Sequence, residues 1–428
     1  MSAFFLVVEL LSYVFAIYIF LKKKELAVMY LPVLFFANSM VNPVLPASVF
    51  YLTVSFIIFA FIFWNPSYYK QNLPALLLSL YFLVLLPQSS DIVYIRPYLF
   101  AVFWLFTLIP CISTLYQKYT KKVIFKELTS TALILLVLFT CNVLMSTVKG
   151  YSPYEMYGIS SGILYGNVYA AGFNVLTFAI YIVALGFIQN KSAVNLLVLV
   201  VTFSFILLSL RRSVMGISLL GILISYLTIL TVDKAKTFVL FGFLAVALGC
   251  TVYFTTDLAD SFKERYELRK LDERELEEEK RFIEYELLYK DMFVYRDYSP
   301  LTGFELFNSW GNYGRGALDD RSLHGDLTSI THSSGLIGLF LYLLMVFSAF
   351  RTSWKAAQTR TDYLTILFCG VAFIVFTITG RYTEVGAMMM LFLVLQLPLA
   401  EDETETADIE ATHNAQHSTL QSSKLHHV

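Results

Sequence analysis

Charged side chains are scarce in this chain. They make up 15% of the 428 residues, whereas hydrophobic residues make up 57%. Soluble domains carry about 25% charged residues and lack repeated apolar runs of roughly 20 residues, so an ordinary soluble domain is excluded. The formal net charge is -1, and the sequence has no basic patch with interleaved aromatic residues. Both features argue against nucleic acid as a partner.

Cysteine is also rare, and its distribution argues against disulfide bonds. The four cysteines all lie within apolar runs: Cys111, Cys141, Cys250 and Cys369. A disulfide framework would place them in exposed loops. We therefore interpret them as small residues of the protein core.

Long apolar runs are what the chain has instead. Lipid-exposed backbone must satisfy its hydrogen bonds internally, so each run has to form a helix. We predict an all-α fold: a polytopic integral membrane protein with about 12–14 transmembrane helices and one large external loop that contains helices. The predicted spans are 2–21, 26–42, 47–64, 73–88, 98–116, 127–147, 167–188, 192–210, 213–231, 237–254, 335–350, 363–379 and 386–400.

The distribution of lysine and arginine predicts the orientation of these spans. Basic residues cluster at 22–24 and 118–126 and recur at Lys191, 234–236 and 351–360. All of them fall on one side if the spans alternate, and we predict that this side is the cytoplasm. The resulting regions are N-terminal transmembrane helices at 1–254, a large periplasmic or extracellular loop at 255–334, C-terminal transmembrane helices at 335–400, and a disordered cytoplasmic tail at 401–428.

The large loop is the longest polar segment and holds both histidines outside the tail, His324 and His332. Residues 260–290 lack glycine and proline and are rich in helix formers, which predicts a helix with charge pairs four residues apart. We expect most of its charges to form a solvated face. The aromatic and aliphatic stretch after Arg281 predicts a helix that returns to the membrane surface.

His324 is the candidate general base. A histidine just outside the membrane can accept a hydroxyl proton near neutral pH. General-base assistance is typically worth about 10²–10⁴ in rate. His332 lies against the next apolar span, where a capping or interfacial role is the simpler explanation.

Four arginines are candidates for binding a diphosphate head group. Arg211, Arg212, Arg281 and Arg321 all fall on the external side of the predicted topology. Planar guanidinium groups pair bidentately with phosphate oxygens. Several arginines can neutralise a diphosphate without a metal ion, so we expect no metal and no other cofactor. The alternative for Arg211 and Arg212 is a pair of snorkelling turn residues, and either one could be the substrate contact.

Several short motifs follow one another in a fixed order along the chain. They are LSLRRS at 208–213 in an early span, then Arg281, SPLTG at 299–303, HGD at 324–326 and GLIG at 335–338. This order resembles the O-antigen polymerase and ligase superfamily of bacterial surface-polysaccharide assembly. Members have many spans and one large external loop late in the sequence. That loop often carries an arginine-started helix, a Pro-Leu-x-Gly turn, and a histidine followed by Gly-Leu-Ile-Gly at the next span.

The resemblance implies a metal-independent, inverting glycosyl transfer at the periplasmic face of the bacterial inner membrane. The donor would be an oligosaccharide on undecaprenyl diphosphate, surrounded by membrane lipid, with a chain-length regulator protein as a further partner. His324 would deprotonate the acceptor hydroxyl, while Arg212 and Arg281 would stabilise the charge that develops on the diphosphate.

Polymerases and ligases of this superfamily differ in the acceptor. In a polymerase it is the non-reducing end of another lipid-linked repeat unit, and in a ligase it is a sugar of the lipid A core. His-Gly-Asp in place of His-Asn, and LSLRRS in place of Ser-Arg-Gly, favour the polymerase. The non-enzyme alternative is a lipid-linked oligosaccharide flippase or another transporter, although the sequence has no internal repeat and its polar groups gather at one face.

Overall fold

The computed structural model describes residues 2–40, 44–149, 170–209, 211–230, 260, 280–318, 321–379 and 385–401. This part of the chain is helical almost throughout and contains no β-strand. Its α-helices are α1 (Ser2–Lys23), α2 (Leu31–Met40), α3 (Ala47–Trp64), α4 (Leu73–Leu85), α5 (Ile92–Tyr116), α6 (Lys121–Val148), α7 (Asn174–Asn190), α8 (Ala193–Leu208), α9 (Arg212–Leu227), α10 (Lys280–Tyr289), α11 (Asp326–Ala356), α12 (Arg360–Thr379) and α13 (Val385–Leu395).

Six helical stretches of the described part are long and apolar enough to cross a membrane: Ala3–Met40, Ala47–Trp64, Ile92–Tyr116, Lys121–Val148, Asp326–Ala356 and Arg360–Ile378. The shorter apolar helices are Leu73–Gln88, Asn174–Asn190, Ala193–Leu207, Arg212–Leu227 and Val385–Leu399. The predicted all-α class is confirmed for the described residues, and the six long helices suggest a membrane protein. The full set of spans stays a prediction, and the one at 237–254 lies outside the described residues.

The first of the six stretches contains a chain reversal. A 3₁₀ segment starts at Lys24, whose φ of +50° breaks the helical geometry between α1 and α2. The rings of Phe15 and Tyr30 lie 5.9 Å apart, and a carboxylate oxygen of Glu9 accepts a hydrogen bond from the backbone amide of Val44 at 2.9 Å. The two helices are therefore antiparallel, as the separate spans 2–21 and 26–42 predict.

Helix α7 lies at the centre of the bundle. Its residues 175–186 are all buried, and it packs against α6, α8, α9 and α13. A helix that is apolar all round is buried on every side. The ring of Tyr181 stacks on Phe368 of α12 at 4.3 Å. Gly221 lets α9 approach α7 closely, because a Cβ at position 221 would lie only 3.2 Å from the Cβ of Tyr181.

Segments that we predict on the cytoplasmic side contact one another. Lys118 pairs with Glu25 at 3.2 Å, and Lys121 pairs with Asp362 at 2.8 Å. These pairs join the end of α1, the start of α6 and the start of α12. These helix ends therefore lie together on one side of the bundle. Which end faces the cytoplasm stays a prediction.

Candidate functional site

Helix α10 carries one buried and one exposed face. Residues 261–279 of the predicted helix lie outside the described part. Helix α10 covers the C-terminal end of the prediction, and a π-helical turn, Lys290–Tyr295, follows it. Glu284, Leu288 and Asp291 are buried. The exposed aromatic side chains are Phe282, Tyr285, Tyr289 and Phe293. This spacing gives an aromatic stripe typical of a helix that lies at a membrane surface.

The buried carboxylate of Glu284 organises the segment that carries His324. Its side chain is completely buried, and its Oε1 accepts a hydrogen bond from Nη2 of Arg321. Its Oε2 accepts from the backbone amides of His324 at 3.1 Å and Gly325 at 3.4 Å, and from Oγ1 of Thr328 at 3.4 Å. A single carboxylate therefore holds residues 321–328 against α10.

These contacts keep Glu284 ionised. Burial by itself raises the pKa of a carboxyl group. Here the hydrogen bonds from His324 and Arg321, together with the charge of Arg321, outweigh burial and hold the pKa of Glu284 below its ordinary value of 4.5. The site therefore contains a fixed negative charge at neutral pH.

The ring of His324 meets this ion pair through its Nδ1 atom. Nδ1 lies 3.2 Å from Nη2 of Arg321 and 3.6 Å from Oε1 of Glu284. The side chain is 38% exposed, so a ligand can reach it. A neutral imidazole has one donor and one acceptor nitrogen. Nδ1 can thus accept from Arg321, or it can carry the hydrogen and donate it towards Glu284.

The two glycine motifs of the loop and the following helix dock on each other. Helix α11 is interrupted at Gly335, where φ is +64°. The backbone groups that lose helical hydrogen bonds at this interruption bond to the 299–303 turn and the residue after it. The amide of Leu336 donates to the carbonyl of Pro300 at 2.8 Å, and the amide of Phe304 donates to the carbonyl of His332 at 2.8 Å. The motifs SPLTG and GLIG thus form one structural unit beside the His324 segment.

Only glycine fits at the two closest points of this contact. Gly303 has a φ of +74°, and a Cβ on it would lie 2.4 Å from the carbonyl oxygen of His332. A Cβ on Gly335 would lie 2.3 Å from the backbone of Leu301. Left-handed backbone and close approach both demand the absence of a side chain.

His332 is a packing residue of this unit. It is fully buried, and its ring packs edge-on against those of Tyr298 at 5.5 Å and Phe304 at 5.9 Å. Its Nε2 lies 3.2 Å from the carbonyl oxygen of Asn312. The predicted capping role of His332 is therefore wrong, since the residue lies inside α11 and is buried. The interfacial role stays a prediction. A position directly before the apolar span did not reveal that a turn would cover it.

The candidate arginines occupy two places. Arg321 is part of the Glu284–His324 cluster, and Arg281 lies on α10 one turn before Glu284, although its side chain lies outside the described part. Arg212 is exposed and begins α9. The guanidinium of Arg211 lies 4.4 Å above the ring of Phe173, a cation–π contact. The structure therefore joins His324 with Arg321, whereas Arg211 and Arg212 belong to another helix.

Sequence reasoning missed Glu284. The charges of residues 260–290 are expected to form a solvated face, but Glu284 is buried. The available signal is helical spacing: Glu284 falls in register with Leu288 and Asp291, opposite the aromatic stripe. A carboxylate on that inward stripe needs a cationic partner, and Arg321 supplies it.

No protein-family profile matches this chain, and no curated protein matches it.

Proposed function

We propose that this protein is a multi-pass membrane glycosyltransferase that polymerises lipid-linked glycans. It transfers an undecaprenyl-diphosphate-linked oligosaccharide to the non-reducing end of another lipid-linked repeat unit, with inversion and without a metal ion. The observation that carries the proposal is the Glu284–Arg321–His324 cluster, a polarised histidine beside the exposed aromatic stripe of α10.

The histidine would remove the proton from the acceptor hydroxyl. Nδ1 carries its hydrogen towards Glu284 and leaves the lone pair on Nε2, so Nε2 takes the hydroxyl proton as the oxygen attacks the anomeric carbon. The bond from that carbon to the diphosphate breaks, and the diphosphate leaves with the electron pair. Glu284 stabilises the resulting imidazolium, a role that its ionised state supports. In this tautomer the 3.6 Å between Nδ1 and Oε1 has to shorten to hydrogen-bond distance, and Nη2 of Arg321, 3.2 Å from Nδ1, has to direct its hydrogens elsewhere.

The arginines would receive the leaving diphosphate. Arg281 lies on the same helix as Glu284, and Arg212 is exposed at the start of α9. Guanidinium groups can each bind two phosphate oxygens and so stabilise the charge that develops in the transition state. Arg321 shares its charge with Glu284, so we assign it to positioning His324 rather than to neutralising the diphosphate.

The exposed aromatic residues of α10 would sit at the membrane surface and guide the polyprenyl tail. Phe282, Tyr285 and Tyr289 are exposed on one face, and the opposite face carries Glu284. The stripe nevertheless comes close to the base at one point, because a Cβ on Gly325, next to His324, would lie 3.7 Å from the hydroxyl oxygen of Tyr285. The stripe supports a donor with a lipid tail. The proposed site faces the periplasm at the bacterial inner membrane, where a chain-length regulator would also act.

The experiment is complementation of a deletion strain, with glycan length read on gels. His324→Ala should give stable protein that binds the lipid-linked donor but does not elongate glycan, with a rate lower by about 10²–10⁴. His413→Ala, in the tail, is the matched control. Normal polymer from His324→Ala would overturn the base assignment.

The same strain separates the alternatives. A deletion that leaves a single repeat unit on core lipid supports the polymerase. Free lipid-linked polymer in the deletion strain would instead indicate a ligase, and accumulation of the donor on the cytoplasmic face would indicate a flippase.

A further inference from the structure

The glycine-rich segment GNYGRG at 311–316 packs on helix α10. The backbone amide of Gly314 donates to Oδ2 of Asp291 at 2.6 Å. The same glycine lies against Leu287, since a Cβ on it would be 2.8 Å from the Cδ1 of that leucine. The proposed transfer reaction does not use this segment, although the segment contacts the helix that carries Glu284.

Tyr313 is anchored on both sides within this segment. The residue before it, Asn312, donates from its side-chain amide to a carboxylate oxygen of Glu305 at 3.3 Å. The carbonyl oxygen of Asn312 lies 3.2 Å from Nε2 of His332. The residue after Tyr313 is Gly314, which is bound to the π-helical turn after α10. These contacts fix the backbone of Tyr313.

The ring of Tyr313 is buried between the two segments that carry Glu284 and His324. Tyr313 forms a small apolar cluster with Leu323, the residue before His324. Ile283, the residue before Glu284, packs against this cluster. The ring is only 4% exposed, so its hydroxyl group is also removed from water.

The hydroxyl group of Tyr313 is close to both charges of the Glu284–Arg321 pair. Burial and the negative charge of Glu284 raise the pKa of this hydroxyl above its ordinary value of 10.0, and the guanidinium of Arg321 acts in the opposite direction. A phenol whose pKa lies above 10 keeps its hydrogen at neutral pH. Its oxygen can therefore accept a hydrogen bond from a neighbouring cation.

Arg321 has a donor that matches this acceptor. Its Nη2 atom donates to Glu284, but its Nε atom is buried and has no hydrogen-bond partner among the described residues. Within the same part of the chain, the hydroxyl oxygen of Tyr313 is buried and unpartnered as well. A buried polar group without a partner is costly, and a hydrogen bond from Nε to the hydroxyl oxygen satisfies both atoms.

The orientation of the guanidinium group matters for His324. Nη2 of Arg321 lies 3.2 Å from Nδ1 of the imidazole, so a turn of the guanidinium decides whether Nη2 donates to Nδ1 or only to Glu284. Donation to Nδ1 favours the tautomer with its hydrogen on Nε2, which cannot act as a base through Nε2. A second anchor on the guanidinium would prevent that turn.

We propose that Tyr313 is a positioning residue: its hydroxyl accepts a hydrogen bond from Nε of Arg321 and thereby sets the tautomer of His324. With Nε held by Tyr313, Nη2 donates to Glu284 alone. Nδ1 of His324 then keeps its hydrogen and directs it to Glu284, and Nε2 carries the lone pair that takes the proton. This inference rests on the proposed base role of His324.

The experiment compares Tyr313→Phe with the unaltered full-length chain in detergent by nitrogen NMR of the histidine rings, which reports the tautomer without requiring activity. The signals of His324 are identified by their loss in His324→Ala. We expect the Nδ1–H tautomer in the unaltered protein. In Tyr313→Phe the guanidinium of Arg321 can turn towards Nδ1, so we expect the Nε2–H tautomer to increase.

The same variant should lower kcat by up to about tenfold, the equivalent of one hydrogen bond, and should leave KM for the donor unchanged. The acid limb of the kcat profile should move to lower pH, because protonation of the ring then has to displace the bond from Arg321. Tyr298→Phe is the matched control, since it removes another buried hydroxyl of the loop, one that donates to Asp291 at 3.3 Å. It should leave the tautomer of His324 and the pH profile unchanged.

The outcomes separate this inference from the proposed function. An Nε2–H tautomer in the unaltered protein would overturn the positioning role, and this measurement decides the matter if Tyr313→Phe does not fold. An unchanged tautomer and pH profile in Tyr313→Phe would also overturn it, while the base role would stand if His324→Ala still fails to elongate glycan. Normal elongation by His324→Ala would instead remove the base role, whereas a change of tautomer in Tyr313→Phe would still support the contact with Arg321.

Discussion

Nδ1 of His324 lies 3.6 Å from Oε1 of Glu284, across forty residues of sequence. The backbone amide of the same histidine donates to the other carboxylate oxygen at 3.1 Å. Glu284 therefore positions both the ring and the main chain of His324. The loop places a half-exposed imidazole on a buried, ionised support, and Arg321 balances the charge of that support.

Glu284→Gln should separate positioning from charge. All the partners of Glu284 are donors, so the NH₂ group of a glutamine would turn a donor towards them. The variant would also lack the negative charge that stabilises the imidazolium of His324. We expect kcat to fall by about 10²-fold or more, with a smaller change in KM, and the pH profile of kcat to shift. Glu286→Gln, an exposed carboxylate on the same helix, is the control. A profile unchanged in Glu284→Gln would contradict the positioning role.

Low pH should lower the stability of the loop, because Glu284 becomes protonated. The pKa of Glu284 is lower in the folded protein than its ordinary value of 4.5, so its contribution to stability is complete above that value. The contribution is lost as the pH falls through the folded pKa. We expect the Tm in detergent to drop below about pH 4.5, and the drop to be smaller in Glu284→Gln. Parallel curves for the two proteins would argue against this origin.

Gly303→Ala should be far more disruptive than Gly316→Ala. Both glycines have positive φ, at +74° and +81°, so an alanine costs about 1–2 kcal/mol of backbone strain at either position. At Gly303 the new Cβ would also overlap the carbonyl oxygen of His332, whereas at Gly316 nothing lies within 4 Å. Thermal unfolding of the two variants measures the difference. Equal losses would mean that the turn does not dock on α11 as described.

His332→Ala should lower stability rather than remove the base. The side chain is fully buried against two aromatic rings, so its loss leaves a cavity and should cost about 2–4 kcal/mol of unfolding free energy. We expect a lower yield of folded protein, with polymer still formed by the molecules that fold. Size-exclusion profiles and glycan gels distinguish this from His324→Ala, which should fold and not elongate.

Arg212→Ala should abolish elongation without affecting folding, because the side chain is exposed. Arg212→Lys should restore little elongation, since an ammonium group cannot form the bidentate contact with phosphate. Arg315→Ala is the control: this exposed arginine pairs with Asp297 at 2.8 Å, outside the Glu284 cluster. Full-length glycan from Arg212→Ala would remove this residue from the diphosphate site.

The sequence by itself determined the helical class and most helix positions, because an apolar run has only one way to satisfy its backbone in lipid, and that is a local property. The predicted span 47–64 coincides with Ala47–Trp64. Ends differ where polar helix formers prolong a helix: α6 begins at Lys121 rather than at 127. Residue chemistry also singled out His324 and the arginines before any geometry was known.

The tertiary structure alone decided which polar residues meet. Glu284 and His324 lie on segments that come together only in the folded loop. The residue pattern of either segment does not indicate which residue it will contact. The same is true of Gly303 and Gly335, whose roles follow from the close approach of a turn to an interrupted helix. Burial of Glu284 and His332 depends on these long-range contacts, because a side chain is desolvated by its neighbours in space and not by its neighbours in sequence.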